Sequence, residues 1–139
     1  MTSNPIVIKI TVHAPISKVW ECWTQPEHIT KWNFASDDWE CPKASNDLRV
    51  GGKFSSTMAA KDGSASFDFE GIYSQVVDHK KITYGLADGR EIETTFEEID
   101  GGVLITETFD PENENSREMQ QGGWQAILDN FKKHVESHE

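Results

Sequence analysis

The 139 residues suit one domain, 1–139, with enough chain to bury roughly two-thirds of its unfolded surface without disulfide staples. Thirteen Lys and Arg against 24 Asp and Glu leave a formal charge of −11, which argues against nucleic acid or an anionic membrane as a partner, because both need a basic patch. No apolar run approaches the ~20 residues of a membrane-spanning helix.

The opening MTSNPIVIKITV lacks the basic stretch and small-residue cleavage site of a secretory signal. Two cysteines, Cys22 and Cys41, are too few for a disulfide framework, so the expectation is a cytoplasmic protein with reduced thiols. Ile6, Ile8, Ile10 and Val12 alternate with Val7, Lys9, Thr11 and His13, the pattern of a strand with one buried face. Ala14-Pro15 ends it, and Pro15 fits the first turn of a helix. Ile16, Val19, Trp20 and Trp23 then recur at i, i+3, i+4 and i+7. Thr24-Gln25-Pro26-Glu27 reads as a capping box opening a second short helix that carries Ile29 and Trp32. The stretch 33–46 is irregular, with a short strand expected around Trp39 and Cys41.

An antiparallel meander begins at Leu48. Phe54, Ser56 and Met58 share one strand face; Phe67, Phe69, Gly71 and Tyr73 share one face of the next strand, with Asp68 and Glu70 pointing the other way. Lys61-Asp62-Gly63-Ser64 is a turn, and Asp88-Gly89 and Asp100-Gly101-Gly102 are hairpin signals. Between and after them lie Ile82 and Tyr84, then Ile92, Thr94 and Phe96, then a strand from Val103 to Phe109. An acidic loop follows, and Asn115 is the expected N-cap of the last helix.

That helix, from Ser116 to about His134, carries Trp124, Ile127, Leu128, Phe131 and Val135 at i, i+3, i+4, i+7 and i+11, with Met119 continuing the stripe. Gly122 and Gly123 interrupt it, each at a cost of roughly 1 kcal/mol relative to alanine. Adjacent glycines inside a helix point to something lying close against the backbone, either a strand or a ligand. The order of elements predicts an α+β fold, a curved antiparallel sheet of about six to seven strands around one long C-terminal helix.

Ala14-Pro15 followed by Val19-Trp20, Thr24-Gln25-Pro26-Glu27, Lys31-Trp32, Leu48-Arg49-Val50-Gly51-Gly52, Gly71-Ile72-Tyr73, and Gly123-Trp124 with Leu128 occur in an order and spacing that span nearly the whole chain. With them the sequence resembles the SRPBCC (START-like, birch-pollen-allergen-like) helix-grip superfamily, and within it the group similar to the C-terminal domain of the activator of heat-shock-protein-90 ATPase. The resemblance implies a cavity between sheet and C-terminal helix. Relatives hold lipids, sterols, flavonoids or polyketides there, some catalyse cyclisation or aromatisation, and others regulate a chaperone. No catalytic motif is common to them, so none transfers to this chain. The eukaryotic activators carry a further N-terminal domain for which this chain has no room, which weakens the expectation of chaperone activation.

The expected ligand-binding set is Trp32, Trp39, Phe54, Phe67, Phe69, Tyr73, Tyr84, Phe96, Glu107, Met119, Gly123, Trp124 and Ile127. Aromatics supply apolar walls, and Tyr and Trp add polar tips that orient a bound ring. Glu107 shares strand parity with Val103, Ile105 and Phe109, which aims a carboxylate inward, where Arg90 or Arg49 could pair with it. His134 and His138 stand at i, i+4, but no third ligand is evident, so no metal site is expected and the helix end is read as solvated. Cys22 and Cys41 read as packing residues. Gly51-Gly52 and Gly101-Gly102 are followed by no helix and form no phosphate cradle, and no cofactor is expected. The leading expectation is a binder of a small, largely apolar, planar or lipid-like molecule. The alternatives are a protein-interaction module related to the chaperone activators, with a chaperone partner, and a cyclase/aromatase-type enzyme.

Overall fold

Alternating burial along β1 (Ile6–Val12) puts Ile6, Ile8 and Val12 in the core, as the period-two pattern requires. A computed structural model, describing residues 4–137, continues the chain through α1 (Ile16–Thr24), α2 (Pro26–Ile29), β2 (Trp39–Asn46), β3 (Lys53–Ala60), β4 (Ser66–Val77), β5 (Lys81–Gly85), β6 (Glu91–Ile99), β7 (Gly102–Phe109) and α3 (Arg117–Ser137). The strands form one seven-stranded antiparallel sheet in the order β1-β7-β6-β5-β4-β3-β2. Successive strands from β2 to β7 are neighbours, and only β1 closes back beside the last of them. Gly89 and Gly101 take positive φ (93° and 82°) in the hairpins, the left-handed backbone that a side chain resists.

The helix ends differ in detail from the sequence expectation. The capping box at Thr24 does not form: Thr24 Oγ1 instead donates back to the Trp20 carbonyl at 2.7 Å, and Gln25 occupies the α2 N-cap without a side-chain bond. Pro15 is the N-cap of α1, one residue earlier than its first turn. Ser116, rather than Asn115, caps α3, its Oγ accepting the Met119 N–H at 3.1 Å.

α3 is continuous through Gly122-Gly123 and packs mainly along β1. β1 is an edge strand, and an open edge presents unpaired carbonyls. Helix side chains reach carbonyls on it at two levels, Gln125 donating to Lys9 O at 3.2 Å and Lys132 to Thr11 O at 2.7 Å, and Arg117 donates to Asn4 O, just before the strand, at 2.7 Å. The C-terminal half of α3 buries Leu128, Phe131 and Val135 completely. Trp124 and Ile127 are only partly buried, and Met119 is 67% exposed, so the stripe does not reach protein along its whole length.

A Cβ built at Gly122 or Gly123 would meet nothing within 4 Å. No strand lies against them, which removes one of the two readings of the pair. Gly122 is exposed and faces away from the sheet's cavity. Gly122→Ala is therefore expected to stabilise the protein by about 0.5–1 kcal/mol through the unfolded-state entropy of glycine. Urea unfolding checks this; a destabilised variant would show that the helix backbone there is sterically committed.

Candidate functional site

Below the mouth of the sheet, the concave side is solid. Phe96 packs edge-on against Trp20 and Trp23, at 5.2 and 5.5 Å between ring centres, and Phe131 packs edge-on against Trp23 and Trp32, both at 4.9 Å. These rings close the end of the sheet covered by α1 and α2. At the other end, the N-terminal half of α3 stands off from β3 and β4 and leaves a cavity of about 450 Å³, within the usual range of small-molecule sites.

The walls follow from strand parity. Phe54, Ser56 and Met58 face in from β3, Phe67, Phe69 and Tyr73 from β4, Ile82 and Tyr84 from β5, and Glu107 from β7. Trp23, Ile29 and Trp32 form the floor, and Gln120, Gly123, Trp124 and Ile127 the helix side. Trp124 joins two strands, lying parallel on Phe109 at 4.1 Å and edge-on to Phe69 at 6.0 Å. Gly71 gives the Phe54 and Tyr84 rings room to cross β4: a Cβ there would come within 2.6 Å of Phe54. Met119 and Phe67 stand at the rim, 67% and 54% exposed.

Two residues of the expected set lie elsewhere. Trp39 does not border the cavity; it starts the edge strand β2, ahead of a register break between Glu40 and Lys43, and leans on the outer side of Phe67 at 6.1 Å. Phe96 points inward as its parity predicts, but α1 fills the space above it. The other expected residues do border the cavity. The expected set lacks Trp23, Ile29, Asn33, Ser45, Asn46, Ser56, Met58, Ile82, Arg90, Glu112, Asn115 and Gln120. Ser56 and Met58 share the parity of Phe54, and Gln120 lies one helical turn before Trp124, so periodicity could have found those three.

Several of the cavity's polar groups are committed to protein partners. Gln120 is buried and staples the preceding loop: its Nε2 donates to Glu112 O and Asn115 O at 3.2 and 2.9 Å, and its Oε1 accepts from Glu112 N at 2.8 Å. The Tyr73 hydroxyl donates to Asn46 Oδ1, and Asn46 Nδ2 donates to Thr24 O at 2.7 Å, tying β4 to the end of α1. Glu107 is buried, and its Oε2 accepts a hydrogen bond from Thr94 Oγ1 at 3.3 Å. Neither arginine pairs with it among the described residues; Arg90 Nε binds Asp88 and Arg49 Nε binds Asp47. Burial pushes the Glu107 carboxyl from its ordinary 4.5 up to about 7, and the Thr94 hydroxyl only partly offsets it. Burial, with the Glu107 charge nearby, also holds the Tyr84 phenol well above its ordinary value.

A second cluster lies outside the cavity. His134 is buried against α2, not solvated, because its Nε2 faces His28 Nδ1 at 2.9 Å. Cys22, buried on α1, joins them; one ligand atom from each of the three lies within 4.8 Å of the others. Burial pushes the Cys22 thiol above its ordinary value, with Glu21 adding to the effect. His138, the expected companion of His134, lies outside the described residues.

The family described as activator of Hsp90 ATPase homolog 1-like protein matches residues 13–136. The chain belongs to this family. The solution NMR structure of an AHSA1-like protein from Aeromonas hydrophila is 43% identical, with 96% of this chain and 93% of that one covered and a TM-score of 0.90. A solution structure from Cytophaga hutchinsonii is 49% identical over 99% of this chain and 97% of that one, with a TM-score of 0.84. A crystal structure of a Chromobacterium violaceum protein, 23% identical over 96% of this chain and 98% of that one, shares the fold at a TM-score of 0.85. No curated protein matches. The helix-grip architecture and the AHSA1-like membership expected from the motifs are thus both shown.

Proposed function

We propose that this AHSA1-like chain binds a small, largely apolar ligand, planar aromatic or lipid-like, between β3–β5 and the first half of α3. The observation that carries the reading is the cavity of about 450 Å³, walled largely by aromatic and aliphatic side chains, with Glu107, Arg90, Asn46, Gln120 and the two tyrosines among its polar points. Gly123 sets the depth of the helix side, and open space lies over it. A panel of a fatty acid, a flavonoid and a naphthol, followed by tryptophan fluorescence, tests the idea. At least one should bind wild type at micromolar affinity, and Gly123→Leu should weaken it at least tenfold, about 1.4 kcal/mol or more, while melting cooperatively. Equal binding by the variant, or no binding across the panel, defeats the reading.

The family description favours a second reading, a protein partner of the chaperone-ATPase kind, and does so more directly than it favours a small ligand. The exposed Phe67 and Met119 at the rim support it, since apolar side chains at a mouth suit a partner's surface. Stimulation of an Hsp90-class ATPase by the wild-type chain, retained in the cavity-filling Gly123→Leu variant and lost in a Phe67→Asp, Met119→Asp double variant, would decide for the partner.

A further inference from the structure

Three helices converge on one small space beside the closed end of the sheet. Cys22 comes from α1, His28 from α2 and His134 from the last turns of α3. The break between helices at Gln25-Pro26 folds α2 back on α1 and brings Cys22 and His28 together, although six positions separate them. The backbone at Cys22 is pinned, because Trp32 Nε1 donates to the Cys22 carbonyl at 3.0 Å. Cys22 is 1% and His134 6% exposed, while His28 is half-buried and gives the cluster a path to solvent. None of the three borders the cavity.

We propose that Cys22, His28 and His134 form a binding site for a divalent late transition metal, zinc foremost. The donor set is the first reason. One sulfur and two imidazoles suit zinc and its neighbours, and the absence of an oxygen donor among the three disfavours magnesium and calcium. Geometry is the second. Zinc bonds of about 2.0–2.1 Å to nitrogen and 2.3 Å to sulfur place tetrahedral ligands at about 3.3 Å N···N and 3.6 Å N···S. The imidazoles face each other at 2.9 Å and need to open by only a few tenths of an ångström. All three ligand atoms lie within 4.8 Å, so the sulfur moves inward by no more than about 1.2 Å, within the reach of a side-chain torsion. The facing nitrogens, His28 Nδ1 and His134 Nε2, would both be metal-bound, each ring keeping its hydrogen on the other nitrogen. One proton leaves on binding, from the thiol. The fourth position opens toward solvent beside His28 and takes a water.

The test uses the full chain without a polyhistidine tag, reduced, stripped with a chelator and titrated with Co²⁺, then Zn²⁺. Wild type should develop a near-ultraviolet thiolate-to-cobalt band that saturates at one equivalent and vanishes when zinc displaces cobalt. Cys22→Ser should abolish the band, and both Cys22→Ser and His28→Gln should weaken zinc at least about 100-fold, as loss of a direct ligand exceeds loss of an outer hydrogen-bond partner. Cys41→Ser should keep the band, because Cys41 lies on β2 away from the cluster. His28 is half-buried, so His28→Gln keeps the proposal testable if the Cys22 variant does not fold. A wild-type titration with no saturable thiolate band, a band lost in Cys41→Ser instead, or zinc bound by folded His28→Gln at wild-type affinity would overturn the assignment.

Discussion

Phe131→Ala is expected to destabilise the protein by about 3–5 kcal/mol, lowering the melting temperature by on the order of 10–15 °C. Phe131 is wholly buried and meets the edges or faces of Trp23 and Trp32, both at 4.9 Å. Truncation removes the transfer free energy of the ring, leaves a void that its two bulky indole neighbours cannot collapse into, and deletes two aromatic pairs worth about 0.5–1.5 kcal/mol each. Trp23 and Trp32 also form the cavity floor, so the void lies directly beneath the proposed ligand. Ile127→Ala, one turn earlier and only partly buried, should cost clearly less. Urea unfolding of the two variants makes the comparison. A loss under about 1.5 kcal/mol for Phe131→Ala would mean the closed end of the sheet repacks freely, contrary to the close packing of protein interiors.

The contrast between Phe131 and Met119 explains how far the sequence could be read. Both sit on one apolar stripe of α3, and helical period correctly puts that stripe toward the sheet. Leu128, Phe131 and Val135 meet protein there and are fully buried; Met119, two to four turns earlier, meets the cavity mouth and is 67% exposed. Periodicity reports which way a side chain points. It does not report whether the space in front of it is filled, because that depends on how far the helix stands from strands distant in sequence. The same limit accounts for Phe96, aimed inward correctly but covered by α1, and for Trp39, whose parity is lost in a strand with a broken register. The strands with clean alternation, β1, β6 and β7, are legible because each has one buried face.

Caps and clusters were harder, for two different reasons. Thr24 and Asn115 are good capping residue types, yet each cap lies one position later: the Thr24 hydroxyl bonds back to the Trp20 carbonyl, and Ser116 competes with Asn115 for the same backbone groups. The Cys22, His28 and His134 group carries no spacing signal at all. His28 and His134 are separated by 106 positions and meet only because α2 docks on the end of α3. The visible pair in the sequence, His134 with His138, drew attention to a local i, i+4 arrangement, while the structure turns His134 toward a different helix.

Glu107→Gln is expected to flatten part of the pH dependence of stability and to make the protein more stable than wild type above neutrality. The folded-state pKa is raised from 4.5 to about 7 by burial. A raised acid binds its proton more tightly in the native state than in the unfolded chain. Between those two values the native state therefore holds more protons, and the stability of unfolding falls as pH rises. The contribution is fully present below pH ~4.5, is lost through about pH 7, and stays lost above it. A shift of that size corresponds to about 3 kcal/mol in total. Glutamine preserves the shape and can still accept the Thr94 hydroxyl bond, but never has to carry a buried charge. Unfolding free energies of both proteins at pH 5, 6, 7 and 8 give the test, and subtracting one curve from the other cancels the many surface carboxylates. The curves should lie close together at pH 5 and separate progressively in favour of Glu107→Gln, by up to about 3 kcal/mol at pH 8. Parallel curves would show that the carboxylate ionises without penalty, through water reaching it in the cavity or a cation drawn to it, and that the space around Glu107 is wetter than the aromatic walls imply.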